Sequence, residues 1–162
     1  MLGNFAQELS TCPERKAMAD QVRETVRALI PMLVCRDAAA EIEFCNAAFN
    51  AAELSRRTGP HNSVVHATLR IGEALLMIHG EFHTFASQAP QPDGSSPVVI
   101  YNYVEDVDAT IERAVAAGAS ILMPAADQFW GDRVGRIVDP SGHVWNVATR
   151  LRDSKAASEP RP

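Results

Sequence analysis

The sequence has no C-x-x-C pair, no clustered Lys/Arg face, no G-x-S-x-G nucleophile elbow and no glycine-rich phosphate loop. Its three cysteines, Cys12, Cys35 and Cys45, cannot all pair with one another, and a reduced, cytoplasmic setting is expected. A formal net charge of −5 argues against nucleic acid and anionic membrane as partners. No apolar run approaches the ~18 residues a membrane span needs. The opening "MLGNFAQELSTCPERK" lacks a basic stretch followed by an apolar one and is not expected to act as a secretory signal. "GDRVGRIVD" carries two glycines in the wrong pattern to cradle a phosphate.

What is present is an ordinary globular composition, 46% apolar and 22% charged over 162 residues, suited to one domain or two small modules sharing a core. The Pro-, Gly- and Ser-rich segment 87–97, "SQAPQPDGSSP", divides the chain into halves with the same layout. In the first half "ALIPMLVCRD" reads as a strand. "AAAEIEFCNAAFNAA" reads as a helix with Ile42, Cys45, Phe49 and Ala52 on one face, and "ELSRR", "SVVHATLRIG" and "EALLMIHG" read as strands. In the second half "VVIYNYVED" is a strand and "VDATIERAVAAG" a helix closed by Gly118, followed by strands in "SILMP", "DRVGRIVD" and "HVWNVATR". A constant offset of 69 residues carries Asp37 onto Asp106, Ile42 onto Ile111, Leu54 onto Met123 and Leu76 onto Trp145, and the Gly72-Glu73 turn onto Ser141-Gly142. The reading is a duplicated βαβββ unit.

Paired βαβββ modules with "D-P-x-G-H-x-W" before the last strand resemble the vicinal-oxygen-chelate superfamily: glyoxalase I, the bleomycin-resistance proteins and the extradiol dioxygenases. More narrowly, "IPMLVCRDAAAEIEFCNAAF", "VVHATLRIGEALLMI" and "FWGDRVGRIVDPSGHVWNVATR" are similar to its PhnB-type, glyoxalase-like branch. The resemblance covers roughly residues 28–150. It implies an α+β fold in which two tandem βαβββ modules, 28–86 and 98–150, form a half-open curved-sheet barrel. Residues 1–27 would add an amphipathic helix, its apolar face formed by Met18, Val22, Val26 and Leu29, and 151–162 a frayed tail.

Active relatives usually hold a divalent metal with His, Glu or Gln from the first and last strands of each module. Counting by the repeat places these positions at Ile30, at Val99 or Ile100, at Met77 and at Asn146. That set cannot hold a hard cation, so neither metal nor cofactor is expected. Strand alternation turns Ile30, Met32 and Val34, Val99, Tyr101 and Tyr103, Leu75, Met77 and His79, and Val144, Asn146 and Ala148 toward the concavity, with Trp130 at its mouth. His66, Thr68 and Arg70 point the same way, while Val65, Ala67, Leu69 and Ile71 face the helix. His66 is the candidate acid-base group. His79 and His83 read as loop packing, His143 as a hydrogen bond pinning the last hairpin, and Trp145, Val147 and Ile111 as core.

The expected function is metal-free binding of a small hydrophobic or aromatic molecule by His66, Thr68, Met77, Tyr101, Tyr103, Trp130 and Asn146. The alternative is a lyase- or isomerase-type enzyme, either metal-dependent or using His66. A third reading is an interaction module with the N-terminal helix as contact surface. The resemblance also implies a homodimer; some relatives exchange modules between chains, and here the 87–97 linker could serve such an exchange.

Overall fold

The computed structural model describes residues 29–81, 87–91 and 96–151. The expected N-terminal helix, His83 and the C-terminal tail lie outside them. Strand β1 (Met32–Cys35) leads to helix α1 (Ala38–Phe49), then β2 (Ala52–Thr58), β3 (Val64–Ile71) and β4 (Ala74–Gly80). The second module repeats the order with β5 (Val99–Tyr103), α2 (Val107–Ala116), β6 (Ser120–Asp127), β7 (Asp132–Val138) and β8 (Val144–Arg150). No helix among the described residues is long and apolar enough to cross a membrane.

Both helices begin on the aspartates that the repeat superimposes. Asp37 Oδ1 accepts from the amides of Ala39 and Ala40 at 3.0 Å, and Asp106 Oδ1 from that of Ala109 at 3.0 Å. Each satisfies amides that a first helical turn leaves without a partner. Helix α1 stops where Asn50 turns left-handed at φ 52°. Ala52, expected on the helical stripe, therefore opens β2 instead. Helix α2 runs out through Ala117 into Gly118 at φ 105°, as its sequence anticipates.

The sheets have the orders β1-β4-β3-β2 and β5-β8-β7-β6, with one parallel pair in each. Met32 lies beside Met77 in the first and Tyr101 beside Asn146 in the second, so the 69-residue offset holds at the level of strand register. It slips by one on β7: Thr68 faces Met77, but Arg136 faces Asn146. The hairpins differ, since Ile71 pairs with Ala74 across Gly72-Glu73 while Val138 pairs with Val144 across Asp139–His143.

Among the described residues no strand pairs from one sheet to the other, and the curved sheets do not close into a barrel. The modules join through contact between α1 and α2 and through one core. Ile42, Cys45 and Phe49 of α1 and Ile111 and Ala114 of α2 meet Ala67, Leu69, Ile78, Ile137, Trp145 and Val147 there. The rings of Phe49 and Trp145 lie 4.7 Å apart across the module boundary. Burial of this kind is the main stabilising term. Gly135 is required on this side of β7: a Cβ there would sit 2.4 Å from Ile111 Cδ1 and 3.2 Å from the Ala125 backbone. One alternation expectation fails. A register shift between Arg57 and Thr58 buries Val64 and leaves Val65 half-buried.

The core also contains charge-bearing side chains. Glu41 is fully buried, and desolvation followed by the nearby Asp139 pushes its carboxyl up to about 8. Burial, then Glu41, raises the Cys35 and Cys45 thiols. Asp139 organises the β7–β8 turn. Its Oδ1 accepts from the amides of Ser141 at 3.0 Å and His143 at 2.8 Å, and its Oδ2 from the Trp145 indole at 2.8 Å. From the first module, Arg36 donates to the Ser141 carbonyl at 3.4 Å and also to that of Pro90.

Candidate functional site

Among the described residues, each sheet has one face covered by its helix and one face without a helix. On the uncovered face of the second sheet, β5 presents Tyr101 and Tyr103 with ring centroids 5.2 Å apart and planes inclined by 39°. They are 43% and 53% exposed, so the pair is open to a ligand. The Tyr103 hydroxyl donates to Asp132 Oδ2 at 2.8 Å, a bond that also raises the phenol above its ordinary range. The Arg150 guanidinium carbon lies 5.6 Å from the Tyr103 ring centre, within reach of a cation–π attraction. Beside Tyr101, Arg136 Nε donates to Asn146 Oδ1 at 2.8 Å. The result is an aromatic platform bordered by two guanidinium groups and one carboxylate.

The first sheet offers a different face. Met32 pairs with Met77, Val34 with His79, and Thr68 with Met77. Arg57 stands opposite His66 on the neighbouring strand. Partial burial, then Arg57, then His79 lower the pKa of His66, which favours a neutral imidazole at pH 7. Nδ1 of His79 is 2.6 Å from the Gly80 carbonyl, which only accepts, so that nitrogen carries the proton. Thr68, expected on the open face, is buried to 3% exposure.

The seven residues singled out by sequence therefore fall in three places. His66, Thr68 and Met77 lie on the first sheet, Tyr101, Tyr103 and Asn146 on the second, and Trp130 in the β6–β7 turn. Trp130 is 53% exposed, meets Phe129 edge-on at 4.9 Å, and stands two residues before Asp132. His143 does not pin the hairpin with its ring. Asp139 does so, taking the His143 amide, while the ring Nδ1 is 3.3 Å from Asp139 Oδ2 without hydrogen-bond geometry. At the module junction lies an apolar groove of about 270 Å³ lined by Leu29, Ile30, Ile71, Leu75, Tyr101 and Trp145.

Sequence reasoning missed Asp132, Arg136, Arg150 and Arg57. Alternation alone puts Asp132 and Arg136 on the face shared with Asn146 once β7 is registered on β8. It also missed Asp139, although Asp139, Ser141, His143 and Trp145 recur at every second position.

The residues at the family's metal positions do not fit a divalent cation. Ile30 lines the junction groove, and the first-strand residue beside Met77 is Met32; beside Asn146 it is Tyr101. Two thioethers, one phenol and an amide oxygen already engaged by Arg136 lack the imidazole and carboxylate donors such ions take.

A family model described as the Glyoxalase/Bleomycin resistance protein/Dioxygenase superfamily matches residues 27–147. An uncharacterized protein of Mycobacterium tuberculosis is 41% identical over 129 residues, covering 78% of this chain and 76% of that protein. Among solved structures, a glyoxalase/bleomycin resistance protein/dioxygenase family enzyme from Burkholderia phytofirmans superposes with a TM-score of 0.61. It has 17% identity and covers 75% of this chain and 97% of that one. The fosfomycin resistance protein FosX from Listeria monocytogenes, complexed with Mn(II) and sulfate, superposes with a TM-score of 0.60. Its identity is 18%, over 77% of this chain and 93% of that one.

Proposed function

Because the chain belongs to the glyoxalase/bleomycin resistance protein/dioxygenase superfamily, we propose that it binds a small hydrophobic or aromatic molecule without a metal on its uncovered sheet faces. The observation that carries this reading is the exposed Tyr101–Tyr103 pair. Two phenol rings side by side offer stacking area at low entropic cost, and Asp132 and Arg150 fix the orientation of one of them. Arg136 and Arg150 on the same face favour a ligand with an anionic or acceptor group. FosX is a structure with Mn(II), but the donors of this chain differ from what such an ion requires. The narrower PhnB-type assignment rests on the three sequence blocks alone. The buried free thiols of Cys35 and Cys45 support a reduced, cytoplasmic setting.

The proposal includes a homodimer. Met32, Val99, Tyr101 and Tyr103 are exposed apolar or aromatic groups on uncovered faces, and a second copy laid against them would turn open faces into a pocket. Analytical ultracentrifugation should give twice the chain mass. A monomer at all concentrations up to the millimolar range would remove this part of the proposal.

The binding reading is tested by fluorescence titration with 1-anilinonaphthalene-8-sulfonate, a planar aromatic anion. Saturable binding, lost in Tyr101→Ala/Tyr103→Ala and unchanged by added Mn(II), supports it. Binding that ignores both tyrosines, or that requires Mn(II), contradicts it.

A second reading, an isomerase- or lyase-type enzyme, draws on His66, whose lowered pKa suits a neutral proton acceptor at pH 7. It requires His66→Ala to abolish turnover of any substrate found while leaving the fold intact.

A further inference from the structure

We propose that Cys35, Glu41 and His143 form a buried zinc site at the junction of the two modules, on the helix-covered side and separate from the ligand-binding faces. The donor atoms of these three residues lie within 4.8 Å of one another, and all three residues are buried. They come from three elements: the end of β1, the first turn of α1, and the turn between β7 and β8. Two polar atoms there have no hydrogen-bond partner, Glu41 Oε2 and His143 Nδ1. Asp139 Oδ2 lies 3.3 Å from His143 Nδ1 but without hydrogen-bond geometry. Buried polar atoms are nearly always satisfied, so two such atoms inside one cluster point to a missing partner. Glu41 is fully buried and His143 is 9% exposed, so bulk water is poorly placed to supply it.

The chemistry selects the ion. One thiolate, one carboxylate and one imidazole form a mixed S/O/N set of the kind zinc takes, whereas magnesium and calcium prefer all-oxygen shells. Zn–N and Zn–O bonds near 2.1 Å and a Zn–S bond near 2.3 Å imply tetrahedral donor separations of roughly 3.4–3.7 Å. The three donors need to close by about an ångström to reach this. One thiolate and one carboxylate balance a divalent ion, and the neighbouring buried Asp139 carboxylate adds negative charge that favours a cation there. Cys45 Sγ lies 3.8 Å from Glu41 Oε1 but stands outside the set of converging donors. Asp139 Oδ1 is filled by the amides of Ser141 and His143, but Oδ2 accepts from the Trp145 indole and keeps a second lone pair that can approach the fourth position.

Cys35 and Glu41 belong to the first module and His143 to the second, so the ion would cross-link them. Loading would accompany folding, as in other structural zinc sites.

The test is to unfold the full chain in denaturant with a chelator and refold it with CoCl2 or ZnCl2. Expected are about one equivalent of metal per chain by elemental analysis and a thiolate-to-Co(II) charge-transfer band. The band should vanish in Cys35→Ser and persist in Cys12→Ser. Refolded wild-type protein without bound metal or without the thiolate band overturns the proposal, even if Cys35→Ser does not fold. A band that survives in folded Cys35→Ser also overturns it. Among the described residues the uncovered faces contain no cysteine, so a thiolate band that persists in Cys12→Ser separates this site from any metal there.

Discussion

Tyr103 on β5 donates its hydroxyl to Asp132 on β7 at 2.8 Å, reaching past β8, which places the small residue Ala148 beside Tyr103. The bond ties the edge strand of the second sheet to a strand two positions away and holds the outer ring of the aromatic pair in place.

Tyr103→Phe keeps the ring but frees Asp132. Affinity for 1-anilinonaphthalene-8-sulfonate should fall on the order of threefold to tenfold, the worth of one ordinary hydrogen bond used for preorganisation. Tyr103→Ala should cost more, because the stacking surface goes as well. Fluorescence titration of both variants checks the order; equal affinity in all three proteins would separate Tyr103 from the ligand.

Gly135→Ala should destabilise the protein by roughly 1–3 kcal/mol through overpacking against Ile111 and the Ala125 backbone. Ile111→Val removes the Cδ1 atom that lies 2.4 Å from where the alanine methyl would sit and should recover part of that loss. A double-mutant cycle in urea measures the coupling. Simple additivity of the two losses would argue against this packing.

His66 carries a pH signature. Its pKa is lowered in the folded chain from the ordinary value of 6.5 by burial, Arg57 and His79. Below that ordinary value the unfolded chain takes up a proton that native His66 resists, so stability should fall as pH drops through this window. Below the folded pKa the loss stops growing. His66→Gln should flatten this part of the stability curve, and Arg57→Met should move the His66 titration upward in an NMR experiment. An unmoved titration would show that Arg57 does not act on it.

Asp139→Ala strips the acceptor from two turn amides and the Trp145 indole in a buried setting. The loss should be about 3 kcal/mol or more, with near-ultraviolet circular dichroism of Trp145 reduced. A variant within about 1 kcal/mol of wild type, by the same scale, would contradict the role given to this carboxylate.

Much of the architecture was legible because it is local or repeated. Gly118 and the 69-residue register, with Asp37 carried onto Asp106, announce themselves in the chain, and Trp145 and Ile111 fall in the core as alternation and periodicity require. The left-handed Asn50 and the bulge at Arg57/Thr58 did not, since each is a one-residue event that overrides a periodic pattern. The faces were readable as lists but not as places. Alternation assigns His66 and Tyr101 to the same kind of surface, yet they stand on different sheets, because inter-sheet geometry depends on how α1 and α2 pack. Glu41 was hidden for a different reason. An acid beside the apolar stripe of α1 reads as a surface residue until the turn of the other module buries it.

The most direct test is to map the bound aromatic probe by NMR, following side-chain shifts during a titration with 1-anilinonaphthalene-8-sulfonate. Binding on the uncovered sheet faces should move the signals of Tyr103, Asn146 and Ala148, together with His66 and Met77 if a second copy closes the pocket. Shifts confined to Ile71, Ala74 and Trp145 would instead place the ligand in the groove between the modules and contradict the account.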